Sequence, residues 1–489
     1  MPFKPVILWT DALVFVLVAC AIAFAWHVAR HEHLRAPWRK VVRNPSGVSA
    51  LVVLAVFVAI GLLDSLHYRQ RLDSRQASGD MNYSVEVLSV FDAMVTRLRT
   101  QSERTYSAPL AAYAFAKENV TLADGALARE FPRLRYGGAH LRDPATERVR
   151  DIVRRTIAGI GLAAVVWIGL TMLLGAWLAG RHGVGFGAML TDLVRGRTEV
   201  AWQPMLISAG AVLLVACPLA VLSGYYHVLG TDKVGQDVLY QTLKSIRTGL
   251  VIGTLTTLVM LPFALLLGIM AGYFRGWIDD VIQYLYTTLS SIPGVLLIVA
   301  AVLLTQVWMD RNPELFETVS QRADVRLLFL CLILGITSWT GLCRLLRGEA
   351  LRLRELEYVQ AARAFGVSDW RIISRHLLPN VMHIVLIATV MDFSGLVLAE
   401  AVLSYVGVGV DPSMISFGTM INNARLELAR DPMVWWSLVS AFAFMFVLVL
   451  SANLFSDAVR DAFDPRMRTG FSLFLPFRAR PPLAVGGAR

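Results

Sequence analysis

Three residues near position 230 have side chains that could bind a metal ion: His227, Asp232 and Asp237. Imidazole and carboxylate groups are common metal ligands. However, Gly230 and Thr231 between them favour a turn, and an aspartate that precedes a helix can accept hydrogen bonds from its first backbone N–H groups. We therefore predict that Asp232 and Asp237 cap short external helices, and we predict no metal site.

Two carboxylates lie inside an apolar stretch, where a charge is costly and often functional. Asp392 and Glu400 are two helical turns apart and fall on roughly one face of the stretch 381–406. They could line a polar path through a membrane or contact a second chain. The alternative is that Glu400 lies at the outer interface with its carboxylate in water, while Asp392 hydrogen-bonds to a neighbouring helix.

Motifs for catalysis or nucleotide binding are absent from the sequence. It contains no HExxH, no GxSxG and no phosphate-binding loop of the form GxxxxGKS or GxxxxGKT. Its four cysteines lie within or beside apolar stretches, and none of them forms a CxxC pair. We therefore predict that the chain is not an enzyme, binds no ATP or other cofactor itself, and has neither a zinc site nor a disulfide framework.

The composition indicates a membrane protein. Of the 489 residues, 56% are hydrophobic and 17% are charged, and the mean hydropathy is +0.57, whereas soluble proteins have about 45–50% apolar and about 25% charged residues. A helix that spans a bilayer needs roughly 20 mostly apolar residues. The sequence therefore predicts an all-α membrane protein with about nine spans. They lie at about 6–29, 46–66, 154–180, 203–223, 247–273, 278–308, 327–346, 381–406 and 434–458.

Positive charge predicts how these spans are oriented. Arg and Lys are dense in the connections 30–43 and 344–375, and such connections stay in the cytoplasm. Nine spans then put the N-terminus outside and the C-terminus inside. The Arg-rich stretch 67–153 falls outside, because long loops cross the membrane largely regardless of charge. The net charge of +10 thus reports orientation, and we expect no nucleic acid partner.

The chain divides into a first part with three spans and a second part with six. The predicted units are two spans in 1–66, an external, partly helical domain in 67–153, a third span with a cytoplasmic loop in 154–200, six spans in 201–468 and a cytoplasmic tail in 469–489. Apolar residues at helical spacing predict one external helix within 88–98, and a looser pattern predicts another within 110–115.

A cytoplasmic segment, residues 351–379, is predicted to form two short helices with a stop between them. Residues 353–365 favour a helix, and Gly366 is placed to end it because glycine can adopt a positive φ. Ser368 can cap the next helix, with Asp369 in its first turn. Pro379 should keep that helix from continuing unchanged into the next span.

One face of the first of these helices carries Val359, Ala362, Phe365 and Gly366. Small side chains on this face would let another protein approach closely. We infer that the helix docks into a groove of a cytoplasmic partner. The alternative is a basic amphipathic connector that lies on anionic lipid.

The same segment resembles the EAA loop of ABC-importer permeases, whose pattern is E-A-A, three residues, G, nine residues and I-x-L-P. Here Gln360-Ala361-Ala362 is followed at these distances by Gly366 and by the string HLLP at 376–379. Gln360 stands where Glu is usual, which removes a charge that could pair with a partner, and His376 stands where Ile is usual. The strings EYVQAARAFGVSDWRII and RHLLPN look like the dipeptide, oligopeptide and nickel branch. We call residues 351–379 the coupling segment.

Four further motifs of that branch occur in the family's order. Residues 227–237, HVLGTDKVGQD, resemble its H-x-L-G-T-D-x-x-G-x-D segment, and we call them the outer-mouth segment. Residues 271–279 resemble its turn between two spans, 399–409 resemble its A-E-x-x-L-S-F-L-G-L-G run, and 464–466 match its usual ending. The resemblance covers about 203–468, and it implies that the last six spans form a type I ABC-importer permease core.

The resemblance also implies partners and a location. Separate ABC ATPase subunits would bind ATP and dock on the coupling segment. A second, homologous permease chain would pair with this one in the lipid bilayer, and an extracytoplasmic substrate-binding protein would dock near the outer-mouth segment. The implied cargo is a di- or oligopeptide, carried across a bacterial inner membrane. Alternatives are an importer of nickel or another solute, an ABC exporter, and a receptor-like membrane protein.

The residues expected to carry these roles fall into three groups. The ATPase-docking residues are Glu357, Tyr358, Gln360, Ala361, Ala362, Arg363, Gly366, Asp369, Leu378 and Pro379. The outer-mouth residues are His227, Gly230, Thr231, Asp232, Gly235 and Asp237. Asp392 and Glu400 are the candidates for the substrate path.

Overall fold

The computed structural model describes residues 3–71, 83–121, 127–316 and 318–463. The predicted tail 469–489 and the motif at 464–466 lie outside the described residues. The helices of the described part are α1 Trp9–Arg30, α2 Glu32–Arg43, α3 Pro45–Asp64, α4 Val90–Met94, α5 Thr96–Thr100, α6 Pro144–His182, α7 Phe186–Val194, α8 Trp202–Ser223, α9 Val238–Phe274, α10 Trp277–Ser291, α11 Gly294–Arg311, α12 Val319–Arg354, α13 Glu357–Ala364, α14 Asp369–Ile372, α15 Leu378–Tyr405, α16 Phe417–Glu427 and α17 Trp436–Phe463.

Nine helices of the described residues are long and apolar enough to cross a membrane, which confirms the predicted number. They are α1, α3, α6, α8, α9, α11, α12, the continuous stretch from α14 to α15, and α17. Several are longer than predicted, because capped ends extend beyond the apolar stretch. Asp143 caps α6, Asp237 caps α9 and Thr318 caps α12, each by accepting a hydrogen bond from a backbone N–H of the first turn.

The predicted single span at 278–308 is wrong. The stretch is broken into α10 and α11 at Ile292 and Pro293. Ile292 is extended, with φ −84° and ψ 132°, because a residue that precedes proline is disfavoured in the α conformation. Of the two pieces, α11 is the one that is long and apolar enough to cross.

The predicted external domain, residues 67–153, contains short strands that the all-α prediction omitted, and the start of the chain adds one more strand to it. One antiparallel sheet has the order β1 Phe3–Val6, β2 His67–Gln70 and β3 Leu88–Ser89, and a hairpin joins β4 Glu118–Thr121 to β5 Leu127–Glu130. The helix predicted within 88–98 is present as α4 and α5. The helix predicted within 110–115 is wrong, since these residues are irregular, Leu110 has a positive φ of 56° and Tyr113 forms an antiparallel β-bridge with Arg133.

The start of the chain and the coupling segment lie at opposite ends of the bundle of long helices. Because β1 pairs with β2, the first residues of the chain lie beside the external domain. From there α9 and α12 both run to the opposite side, where the coupling segment lies. The two helices lie side by side from Arg247 and Asp324 to Gly272 and Ala350. At that far end they share one apolar cluster with the coupling segment, including Leu346, Val359 and Leu377.

The first three spans pack onto the later helices and do not stand apart. α1 lies against α9 and α12, α3 lies against α8, α9 and α17, and α6 lies against α8. At the far end, Trp38 of α2 contacts the ring of Phe463 edge-on, with the ring centres 5.5 Å apart. The two parts of the chain therefore form one packed unit.

Charged residues are buried where α1 meets the later helices. Arg247 of α9 donates to Asp11 of α1 at 2.5 Å, and its guanidinium lies 4.0 Å from the carboxylate of Asp324 in α12. Thr10 donates to Asp324 through both its backbone N–H and its hydroxyl. The Nδ1 of His67 lies 2.7 Å from Asp11. We call Arg247, Asp11, Asp324 and His67 the ion cluster.

Candidate functional site

The coupling segment turns sharply at Gly366. α13 is shorter than the predicted helix, and after its end Gly366 adopts a φ of +73°. The Gly366 N–H donates to the Arg363 carbonyl at 3.0 Å, and the Val367 N–H donates to the Ala362 carbonyl at 3.1 Å. These two bonds form a Schellman motif, in which a glycine past the helix end satisfies the last carbonyls. The predicted helix stop at Gly366 is thus confirmed.

The inner side of the coupling segment is fixed to the membrane-spanning helices. Val359 is buried and belongs to the same apolar cluster as Ile372 and Tyr273. The hydroxyl of Tyr273, at the end of α9, donates to the Asp369 carboxylate at 2.6 Å. The Arg354 guanidinium at the end of α12 donates to the Tyr273 carbonyl at 2.7 Å. A force applied to the segment therefore reaches α9 and α12 directly.

The outer side of the coupling segment is open. Of the ten predicted docking residues, Ala362 and Leu378 are half-buried and the others are exposed. Phe365 is 87% exposed and Trp370 is 70% exposed, and aromatic side chains often dominate the energy of a protein interface. Val359 and Phe365 were predicted to lie on the same face of the first helix of the coupling segment. This is wrong, because Val359 is buried in the core and Phe365 is exposed.

Of two predictions for the second helix of the coupling segment, one is wrong. Ser368 occupies the N-cap position of α14, but its side chain makes no capping hydrogen bond. The prediction for Pro379 is confirmed, because the α-helix does not continue unchanged into the next span. A π-helical turn at Ile373–Leu377 joins α14 to α15, and Pro379 follows it in the first turn of α15. The second half of the segment is therefore continuous with the following span.

The outer-mouth segment is covered by two stretches of the predicted external domain, residues 103–121 and 127–138, which together we call the cover segment. The buried outer-mouth residues are His227, Gly230, Thr231, Gly235 and Asp237. The Nδ1 of His227 lies 2.7 Å from the Asp237 carboxylate, and its Nε2 lies 3.3 Å from the Glu103 carboxylate. Glu103 also accepts hydrogen bonds from the backbone N–H groups of residues 135–137, at 2.9, 2.8 and 3.2 Å. We call His227, Glu103 and Asp237 the histidine clasp.

Charge strengthens the histidine clasp. Burial disfavours the imidazolium, but the hydrogen bonds to Asp237 and Glu103 outweigh it and raise the pKa of His227 to about 9. Burial also opposes the Glu103 carboxylate, but its hydrogen bonds to His227 and to the backbone lower the pKa of Glu103 to about 2. Both groups are therefore charged at neutral pH. Charge-assisted hydrogen bonds are stronger than neutral ones, so the clasp holds the cover segment firmly on the outer-mouth segment.

Asp232 and Asp237 were predicted to cap short external helices, and neither does so. Asp237 is a cap, as predicted, but it caps the long helix α9, accepting from the N–H groups of Leu239 and Tyr240 at 2.8 and 3.3 Å. Asp232 caps no helix; it closes a turn by accepting from the N–H groups of Val234 and Gln236, both at 2.9 Å. Within the described residues, no three His, Cys, Asp or Glu side chains are placed to hold a metal ion.

Comparison with known proteins identifies the family. Residues 264–469, which include most of the second part of the chain, match the family described as "Binding-protein-dependent transport system inner membrane component". The oligopeptide transport system permease protein OppC of Mycobacterium tuberculosis (strain ATCC 25618 / H37Rv) is 32% identical over 246 residues, which make up 50% of this chain and 78% of that protein. The chain belongs to this permease family.

Two further relatives of the permease have the same degree of similarity. The glutathione transport system permease protein GsiD of Pectobacterium atrosepticum is 32% identical over 243 residues, covering 50% of this chain and 74% of that one. The dipeptide transport system permease protein DppC of Lactococcus lactis subsp. cremoris is 31% identical over 240 residues, covering 49% of this chain and 64% of that one. Each match thus involves about half of the permease.

Glu400 links two helices of the permease. The hydroxyls of Ser404 in α15 and Ser416 ahead of α16 donate to its carboxylate at 2.7 and 2.9 Å. Glu400 is buried, so its carboxylate is not in water, and the alternative that placed it at the outer interface is wrong. Asp392 is half-buried two turns earlier on α15. The structure does not bring the two carboxylates together, and a place for either in the substrate path stays a prediction.

Two residues of these sites were missed from the sequence. Glu103 gave no local signal, because it lies 124 positions before its partner His227. Tyr273 did have a signal: it belongs to the motif at 271–279 that resembles a family turn. Its role as the contact between α9 and Asp369 could have been inferred from that motif.

We expect the permease to lose stability at alkaline pH through the histidine clasp. The pKa of His227 is raised from 6.5 to about 9, so its contribution is complete below pH 6.5 and is lost as the pH rises through about 9. The expected loss is on the order of 3 kcal/mol. Thermal unfolding in lipid nanodiscs between pH 6 and pH 9.5 measures it.

The variant His227→Gln should be less stable at pH 6 and nearly insensitive to pH over this range. His182→Gln is the matched control, because His182 is exposed at the end of α6 and should behave as the wild type. Glu103 does not contribute in this window, since its lowered pKa affects stability only as the pH falls from 4.5 towards about 2. An identical pH dependence in His227→Gln and wild type would contradict the charged clasp.

Proposed function

We propose that this chain is the membrane-spanning permease subunit of an ATP-driven ABC importer, and that its cargo is a di- or oligopeptide. The observation that carries the proposal is the coupling segment. Its inner side is fixed to α9 and α12 through Tyr273, Asp369 and Arg354, while its outer side exposes the predicted docking residues. The names of the three relatives, which refer to oligopeptide, glutathione and dipeptide transport, favour a peptide over nickel.

The coupling segment would transmit the movement of separate ATPase subunits, which bind the ATP. Closure of these subunits pushes on the exposed side of α13. The Tyr273–Asp369 hydrogen bond transmits this force to α9, and the Arg354–Tyr273 hydrogen bond connects α12 to the same residue. The continuous helix from α14 to α15 transmits the force to the next span. The spans then alternate between inward-open and outward-open arrangements.

We further propose a second, homologous permease chain and an extracytoplasmic substrate-binding protein as partners, in a bacterial inner membrane. The N-terminus would lie outside and the C-terminus in the cytoplasm. Two features support this orientation. Strand β1 lies beside the external domain, and the coupling segment, which must meet a cytoplasmic ATPase, lies at the opposite ends of α9 and α12. The basic helix α2 lies on that same side, against the end of α17.

A reconstituted transporter tests the function. The chain is purified with its ATPase subunits and second permease, placed in liposomes, and supplied with the binding protein outside and ATP inside. We expect ATP-dependent uptake of labelled di- or tripeptides, and no uptake without ATP or without this chain. Uptake of Ni²⁺ without peptide uptake would refute the peptide cargo, and export from preloaded liposomes would refute the direction.

A cysteine-labelling experiment tests the orientation. In a variant without native cysteines, we expect Ala116→Cys to react with a membrane-impermeant maleimide in intact cells, because Ala116 is exposed in the external domain. Gly348→Cys, exposed near the end of α12, should react only after lysis. The reverse pattern would show that the orientation is wrong.

A further inference from the structure

The cover segment makes the buried residues of the outer-mouth segment inaccessible to a partner and leaves only the tip around Lys233 exposed. The hydroxyl of Thr231 accepts a hydrogen bond from the Ser107 N–H at 2.7 Å and donates one to the Thr105 carbonyl at 2.9 Å. Further along, the Leu110 N–H donates to the His227 carbonyl at 2.9 Å. Hydrogen bonds at both ends therefore join the two segments before any partner arrives.

The two backbones approach so closely that glycine is required at Gly235. A Cβ at this position would lie 1.9 Å from the carbonyl oxygen of Glu103, and its φ of +78° also favours glycine. The Glu103 N–H donates to the Gly235 carbonyl at 2.9 Å. A partner that touched the buried outer-mouth residues would first have to break these bonds and the histidine clasp.

The exposed surface formed by the cover segment and the tip of the outer-mouth segment is basic. Among the described residues of the cover segment, the exposed cations are Arg104, Lys117, Arg129, Arg133 and Arg135. Lys233, at the uncovered tip of the outer-mouth segment, is also exposed. The acidic groups here are fewer: Glu130 is exposed, Glu118 lies 3.9 Å from Arg104, Asp232 beside Lys233 is half-buried and accepts a hydrogen bond from Gln241, and Glu103 is bound in the clasp.

We propose that the cover segment, and not the outer-mouth segment beneath it, is the surface on which the extracytoplasmic substrate-binding protein docks, and that the docking face of this protein is acidic. The inference rests on the proposed function, which supplies a binding protein as partner. The observation behind the acidic face is the basic charge of the cover segment, since opposite potentials across an interface speed association and select the partner.

The histidine clasp connects the proposed docking surface to the membrane-spanning helix α9. Glu103 is held between three backbone N–H groups of the cover segment and His227. His227 in turn holds Asp237, which caps α9. A shift of the cover segment on docking therefore moves the first turn of α9, and α9 carries Tyr273 at its other end beside the coupling segment.

Charge reversal on the cover segment tests the proposal. The complete transporter, with wild-type chain or with Arg104→Glu/Arg135→Glu, is placed in nanodiscs, and two quantities are measured: its affinity for the binding protein of the same system, and the stimulation of its ATPase by that protein. We expect the reversal to weaken affinity at least about tenfold at low salt and to remove most of its salt dependence. ATPase activity without binding protein should be unchanged.

Two variants serve as controls. Arg104→Lys/Arg135→Lys keeps the charge and should bind as the wild type does, and thermal unfolding of the charge-reversed variant checks that it is folded. Lys4→Glu/Arg311→Glu makes the same charge change at exposed positions on the same side of the membrane, but outside the cover segment, and should leave the affinity within about twofold.

The possible outcomes separate the two proposals. If the wild type is stimulated by the binding protein and the Arg104→Glu/Arg135→Glu variant binds equally well, the docking surface is wrong while the proposed function stands. If the reversal instead reduces adsorption to vesicles with anionic lipid and leaves affinity for the binding protein intact, the basic surface faces lipid and the proposal is overturned. If no binding protein stimulates an assembled wild-type transporter, the importer function fails and the docking surface falls with it.

Discussion

Gly366→Trp is expected to reduce ATP-dependent uptake to background while the chain still folds and inserts. Gly366 ends α13 at a φ of +73° on the exposed side of the coupling segment. Apart from Gly366 and its two neighbours in sequence, no described residue has a heavy atom within 4 Å of a Cβ built at this position, so the added side chain points into the space that the proposed ATPase occupies. The left-handed conformation itself costs a non-glycine residue only about 1–2 kcal/mol. The measurement is peptide uptake in proteoliposomes, together with the amount of ATPase subunit that co-purifies.

A matched substitution separates the lost docking from the strained backbone. Asparagine tolerates the left-handed conformation better than other non-glycine residues, and its side chain is small, so Gly366→Asn should retain a substantial part of the uptake. Both variants should match the wild type in membrane insertion and in binding-protein affinity. Full uptake by Gly366→Trp would show that the coupling segment does not dock an ATPase.

Features with a local signal could be predicted from the sequence. Each span is one apolar stretch of about the length a bilayer requires, so their number was predicted correctly. Gly366 was recognisable because helix formers precede it and a glycine at that place completes a Schellman motif. The break at Ile292 and Pro293 also had a local signal, since a residue before proline avoids the α conformation, but apolarity alone made the stretch look like one span.

Contacts between distant residues could not be predicted. Nothing near Glu103 indicates that it meets His227, and nothing near Phe3 indicates that β1 pairs with β2, more than sixty residues later. Such pairings depend on how the spans pack, which a single sequence does not reveal. The covered state of the outer-mouth segment follows from these pairings, which is why the sequence suggested an open docking site there.

The ion cluster is the strongest case of a distant contact, because it ties the first span to the later ones. We expect Arg247→Met to lower the free energy of unfolding by about 3–5 kcal/mol, the typical cost of removing one partner from a buried ion pair. Arg247 and Asp324 are almost fully buried, and Asp11 receives a hydrogen bond from Arg247 at 2.5 Å. Without the guanidinium, two carboxylates remain close together away from water. Thermal unfolding in nanodiscs measures the loss, and proteolysis near α1 shows whether this helix detaches first.

Two further variants show whether the loss comes from the unpaired charge. Arg247→Met/Asp11→Asn should recover part of the stability, because the second change removes one of the two carboxylates that faced Arg247 and leaves His67 beside a neutral amide. Arg322→Met is the matched control: Arg322 also lies in an ion pair, with Asp310, but both side chains are about half exposed, and such surface pairs contribute at most about 1 kcal/mol. If Arg247→Met were no more destabilising than Arg322→Met, the ion cluster would not be what holds α1, and the first span could be removed without loosening α9 and α12.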